Sequence, residues 1–94
     1  MKYEIMFIVR PNLEEESLKA VVKSFEEVLT KNGAKIESNK EMGQRELAYE
    51  INKFKTGYYY LYVVEADSKA ISEFERVSRI NEKLLRHLIV KVED

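Results

Sequence analysis

Between positions 76 and 91 the chain carries five cations, Arg76, Arg79, Lys83, Arg86 and Lys91, against one acid, Glu82. Lysine and arginine gathered this way do one chemistry well. They neutralise phosphates, which supplies most of the sequence-independent affinity of proteins for nucleic acid. Taken singly, each residue reads as a solvated helix or strand end; taken together they define a candidate phosphate-facing patch. Lys2 joins it if the first and last strands are neighbours, as the element order below requires. The stretch from Glu14 to Glu50 is net acidic, so charge is distributed asymmetrically along the chain.

Other chemistries find little support. His87 is the sole histidine and there is no cysteine, so neither a typical zinc site nor a thiol nucleophile can be built. His87 reads as a hydrogen-bonded strand residue, with contact to a nucleic acid as its other role. Carboxylates lie mostly on helix faces or beside cations, where solvated pairing explains them. Gly33, Gly43 and Gly57 each read as a cap or turn, and no glycine-rich phosphate loop is present. With a net charge of −1, 94 residues offer no global field to attract a polyanion or a membrane, so a local patch has to do it. The length suits one domain over residues 1–94. Absence of cysteine suits a reducing compartment, and the apolar run Ile5 to Val9 is too short for a signal-peptide core or a membrane span. A cytoplasmic protein is the expectation.

The elements that must position these residues follow from periodicity. Tyr3, Ile5, Phe7 and Val9 make one apolar face of a first strand, and Met6 and Ile8 keep the other face apolar at mid-length, as in a central strand. Pro11-Asn12 stops it. Asn12 and Glu15 have capping-box spacing, and Leu18, Val21, Val22, Phe25, Val28 and Leu29 recur at helical intervals up to Asn32-Gly33. A long, polar strand region follows from about Ala34 to Ile51, the pattern of a sheet edge. The basic stretch Lys53 to Gly57 reads as a loop into Tyr58-Tyr59-Tyr60-Leu61-Tyr62-Val63-Val64, a second central strand. Asp67-Ser68 caps a helix bearing Ile71, Phe74, Val77 and Ile80, and a last strand spans about Leu84 to Val92. The order β-α-β-β-α-β predicts an α+β, ferredoxin-like split βαβ fold: a four-stranded antiparallel sheet with two helices on one face.

Alternation divides the tyrosine run. Tyr58, Tyr60, Tyr62 and Val64 are expected in the core, whereas Tyr59, Leu61, Val63 and Glu65 join Met6 and Ile8 on an open, largely aliphatic face that suits a protein neighbour better than stacked bases. In the edge region, Gly43 to Asn52 pairs a charged half with an alternating one, Leu47, Tyr49 and Ile51 against Ala48, Glu50 and Asn52, so that one face is expected to be buried. Lys40, Glu41, Arg45 and Glu46 would keep that edge from self-pairing while leaving a surface that a complementary partner can read.

Gly43 to Asn52 also resembles the signature of the bacterial small-subunit ribosomal protein six family: glycine, any residue, a basic one, a polar one, leucine, alanine or serine, tyrosine, any residue, isoleucine, a polar one. The likeness covers essentially the whole chain, through Tyr3-Glu4-Ile5-Met6, Arg10-Pro11-Asn12, Gly57-Tyr58-Tyr59, and Ile80 with Arg86-His87. It implies a ferredoxin-like fold, binding to the central domain of small-subunit ribosomal RNA, and partnership with small-subunit ribosomal protein eighteen. On that reading Lys2, Arg76, Arg79, Lys83, Arg86, His87 and Lys91 are the RNA-binding candidates. Members often carry two basic residues where this chain has Arg45-Glu46, which turns the motif towards protein contact. Lys40, Glu41, Arg45, Glu46 and Tyr49 are accordingly the partner-interface candidates. Neither enzyme nor cofactor chemistry is implied. Alternatives of the same size are an acylphosphatase-like enzyme, in which Arg10 alone would have to hold a phosphate in the loop Arg10-Pro11-Asn12-Leu13, and a ligand-binding regulatory domain.

Overall fold

The computed structural model describes residues 1–92. The order is β1 (Lys2–Val9), α1 (Glu15–Lys31), β2 (Lys35–Ile51), β3 (Phe54–Glu65), α2 (Ser68–Ile80) and β4 (Leu84–Val92). The strands form one antiparallel sheet, β2-β3-β1-β4, so the two most apolar strands are central and the ferredoxin-like arrangement is realised. No helix among the described residues is long and apolar enough to cross a membrane.

Residues directly opposite one another in a sheet share a face. Ile5 faces Tyr62 and Phe7 faces Tyr60, and these pack with Val9 and Val64 against Val21, Phe25 and Leu29 of α1 and Phe74 of α2. Phe7 is the hub: its ring lies 5.2 Å from that of Tyr60, 5.6 Å from Tyr62, 5.4 Å from Phe25 and 6.1 Å from Phe74. Such ring pairs add to the area they bury. The Tyr62 hydroxyl donates to the Glu26 carboxylate of α1, and burial first, then that bond, push its pKa well above the ordinary value of 10.0, so it remains a neutral donor.

Helix ends show where local signals won and lost. The capping box expected from Asn12 does not form, because α1 starts later: Glu14 is the N-cap, makes no side-chain cap bond, and offers its carbonyl to the Leu18 N–H at 2.9 Å. Glu15 and Glu16 in the first turn still favour the helix dipole. At the other end Gly33 (φ +88°) donates to Thr30 O and Ala34 N–H to Leu29 O, a Schellman closure. In α2, Asp67 accepts from the Lys69 and Ala70 N–H groups as expected. Its buried row, however, is Ala70, Phe74 and Ser78, and Ile80 is 69% exposed. Two residues beyond Ser78 is about 200° around the helix.

The β2–β3 hairpin differs most from its sequence reading. Its turn is only Asn52-Lys53, both at positive φ (50° and 71°), joining Ile51 directly to Phe54. Lys53 to Gly57 is therefore not a loop; β3 starts at Phe54. This is the geometry of a two-residue hairpin whose twist matches its strands. Gly43 (φ +79°) sits at a register shift in β2, a bulge rather than a turn. Gly57 is a mid-strand residue at which an added Cβ would collide with Ile8 Cγ2 and lie 3.2 Å from the Val9 carbonyl oxygen. Because β1 pairs with β3 only from Tyr58 to Glu65, the hairpin beyond those residues is a two-stranded ribbon past the end of β1. Without a helix layer behind it, the ribbon has no buried face: Leu47 and Ile51 are half-buried and Tyr49 is 57% exposed.

Tyr62→Ala is expected to cost about 3–5 kcal/mol in denaturant unfolding, as large aromatic truncations in cores do. Tyr59→Ala, on the opposite face, should cost much less, and equal losses would contradict the face assignment.

Candidate nucleic-acid and partner interface

The sheet register distributes the cationic residues. Arg86 lies opposite Ile8 on the open face, away from the helices, while His87 and Lys91, opposite Phe7 and Tyr3, lie on the helix side. Lys2 pairs with Val92, six residues along β1 from Ile8 and thus about 20 Å from Arg86. Lys2 Nζ also meets Glu37 Oε1 at 3.2 Å. The expected single patch is therefore split. On α2, Arg76 pairs with Glu73 and Arg79 with Glu75 at 3.4 Å, so acids just before the basic stretch offset two of its cations. His87 Nε2 lies 4.0 Å from the same Glu75, half-buried under the helix. Lys83 starts the approach to β4, its backbone N–H donating to Asn81 Oδ1 at 2.9 Å.

The partner-interface candidates are also divided by face. Lys40 and Arg45, opposite Leu61 and Gly57, are on the open side; Glu41 and Glu46, opposite Tyr60 and Thr56, are on the helix side. All four are exposed on the outer edge of the sheet. Glu41 lines a groove of about 440 Å3 with Lys19, Lys23, Glu26 and Tyr60. Arg45 Nε donates to the Met42 carbonyl at 3.1 Å across the Gly43 bulge.

What the fold brings together is one member of each set. The Arg86 guanidinium carbon stands 5.5 Å from the centre of the Tyr49 ring, joining β4 to the ribbon. A second contact of this kind, Arg10 over Phe54 at 5.0 Å, ties the end of β1 to the ribbon's other strand. Between the two contacts Ile8, on the nominally open face, is only 3% exposed. The rest of that face is largely aliphatic as expected: Met6, Leu61 and Val63 are half-buried and Leu88 and Val90 exposed, with Tyr59 and Glu4 among them. Sequence reasoning missed Phe54, assigned to a loop, and Asn52, assigned to a strand; a two-residue turn would have required recognising Asn52 as a residue tolerant of positive φ.

Comparison with known proteins matches residues 2–91 to the family described as Ribosomal protein S6. The chain belongs to that family. Its fold superposes on the crystal structure of the 30S ribosomal protein S6 from Thermotoga maritima with a TM-score of 0.90 and 31% identity, covering 95% of this chain and 84% of that one. The S6 family is structural and non-enzymatic, and membership gives this chain a structural role in the ribosome. The family likeness read from Gly43 to Asn52 thus coincides with the ribbon whose Tyr49 meets Arg86.

Two outcomes are expected. Glu73 is held below the ordinary carboxylate value of 4.5, first by the hydrogen bond from Arg76 and then by its charge, so the pair is intact above that value and opens as pH falls through the depressed one. In an NMR titration, Arg76→Gln should return the Glu73 midpoint to the ordinary range; an unmoved midpoint would sink the assignment. Tyr49→Ala should change stability by less than about 1 kcal/mol yet loosen the Arg86 side chain, measured as a lower Nε order parameter.

Proposed function

We propose that this protein is a structural component of the small ribosomal subunit that binds the central domain of small-subunit ribosomal RNA together with small-subunit ribosomal protein eighteen, in the cytoplasm, with residues 1–94 acting as one ferredoxin-like domain. The observation that carries the reading is the Arg86–Tyr49 contact, in which a residue suited to phosphate is held by a residue of the family signature. RNA and protein surfaces then meet at one end of the sheet. Arg86, Arg79 and Lys83 supply phosphate contacts there, with Arg76 and His87 behind them and Lys2 and Lys91 at the far end of β4. Lys40, Glu41, Arg45 and Glu46 give protein eighteen a charged edge, and the exposed aliphatic residues of the open face extend it. Neither partner's surface is large, so each binds better once the other is in place. No chemical step is assigned to the protein.

The deciding experiment is co-sedimentation. The protein should travel with the small subunit at moderate salt, and recovery only in the soluble fraction would overturn the reading. Reversing the charge of Arg79 and Arg86 together should weaken assembly on the RNA roughly uniformly across sequences and lower the slope of log affinity against log salt by about two. A variant that melts earlier but keeps its slope would assign Arg79 to the α2 terminus instead.

A further inference from the structure

Where the end of β1, the α2–β4 turn and the tip of the ribbon meet, two adjoining cavities of about 550 and 380 Å3 share Arg10, Ile80, Asn81 and Glu82 in their walls. Lys83 completes the first, and Asn52 and Arg79 the second. Three cations thus converge from three elements, and among the described residues Glu82 is the only acid lining the space. The Arg10 backbone N–H donates to the Lys83 carbonyl oxygen at 2.9 Å, which holds the two backbone segments side by side. Arg79 shares its charge with Glu75, whereas neither Arg10 nor Lys83 makes an ion pair among the described residues. A cationic cleft in a chain of net charge −1 runs against the overall balance.

Arg10 is the anomaly. Its Nε is closed off from solvent yet has no hydrogen-bond partner, a costly state for part of a guanidinium. Phe54 faces the cation at 5.0 Å but accepts no hydrogen bond in the guanidinium plane. Arg10 lines both cavities, and a phosphate is the acceptor whose charge and several oxygens suit the fork of N–H donors a guanidinium presents. Asn81 lines both cavities, and with its Oδ1 taken by the Lys83 N–H its amide nitrogen is left to donate. Exposed Ile80 puts an apolar contact at the lip, where a ribose or base edge attached to that phosphate would lie.

We propose that this cleft seats an internucleotide phosphate of ribosomal RNA, with Arg10 as its central ligand and Lys83, Arg79 and Asn81 around it. The proposal rests on the RNA-binding reading above and adds to it a residue and a cleft that the Arg86 surface does not include. Phosphate chemistry alone would also admit a free phosphate ion, so the test separates the two sources.

The experiment measures binding of the full chain to small-subunit ribosomal RNA, with protein eighteen present, over a range of salt. Arg10→Gln should weaken binding about tenfold and lower the log–log salt slope by about one. Arg10→Lys should restore the slope but not the whole affinity, because the charge returns without the fork of donors. Thermal melts check that both variants fold, and if Arg10→Gln does not, the comparison of Arg10→Lys with the parent still reads the affinity loss at constant charge. Unchanged affinity and slope in both variants would overturn the proposal while leaving the Arg79–Arg86 result, and with it the RNA-binding reading, intact. Inorganic phosphate that shifts the Asn81 and Lys83 amide signals of the parent but not of Arg10→Gln, alongside unchanged RNA binding, would make this a small-anion site and overturn the RNA assignment. Loss of affinity for protein eighteen with RNA binding unchanged would assign the cleft to a protein carboxylate and overturn it equally. A parent protein that binds no ribosomal RNA at all would remove the broader reading and this one together.

Discussion

The packing of Phe7 is the constraint on which the rest depends. It sits at mid-length in a central strand, fully buried, and its ring touches both neighbours from β3 and one aromatic residue from each helix. Phe25 and Phe74 also meet each other at 5.3 Å, so helix-to-helix and helix-to-sheet contacts close through one aromatic cluster. Interiors are packed too densely for such a cluster to shift by one residue without moving every side chain it touches. Strand period then does the remaining work. With Phe7 inward, Ile8 must point outward, and the pairing of β1 with β4 puts Arg86 on that same outer face while sending His87 inward. The position of Arg86 is a consequence of a core phenylalanine one residue away from its partner.

Mismatch in strand length generates the end of the molecule where Arg10 and Arg86 meet the ribbon. At 17 residues β2 would span roughly 55 Å if straight, whereas the longest dimension of the structure is 35 Å. Three register irregularities let it bend, and Gly43 supplies the positive φ that one of them requires. The surplus emerges as a ribbon beyond β1, where Phe54 and Tyr49 receive Arg10 and Arg86. The exposed Arg86–Tyr49 contact is worth only about 0.5–1 kcal/mol. The effect of both contacts is chiefly geometric: they limit where the ribbon lies and where the two guanidinium groups point. Gly57 permits this, since the ribbon leaves the sheet where a side chain would strike Ile8.

How much of this the sequence discloses depends on the range of the interaction. Element order, the two central strands, the division of the tyrosine run and the Asp67 cap were all readable, because each rests on alternation or on residues a few positions apart. Asn12 has capping-box spacing, yet Leu13 and Glu14 intervene before the helix starts, and Ile80 follows Val77 at helical spacing, which does not show where the buried face ends. Tyr49 obeyed a strand period but had no layer to be buried against, which only the length of β1 decides. The cationic set suffered most. Contiguity in sequence could not reveal that Arg86 and His87 take opposite faces, that Glu73 and Glu75 offset Arg76 and Arg79, or that Arg10, sixty-six positions before Arg76, belongs to the same end of the molecule.

These dispositions change what the electrostatics can mean. In a chain of net charge −1, long-range attraction to a polyanion is weak, and exposed ion pairs such as Arg76 with Glu73 lend little stability while offsetting the charge of their cations. Two other cations make no ion pair among the described residues and rest on neutral rings instead. Arg86 rests on a tyrosine and Arg10 on a phenylalanine, and an aromatic ring orients a guanidinium without neutralising it. Both cations thus stand oriented but unneutralised by their rings at the one end of the sheet where β1 stops and the ribbon continues.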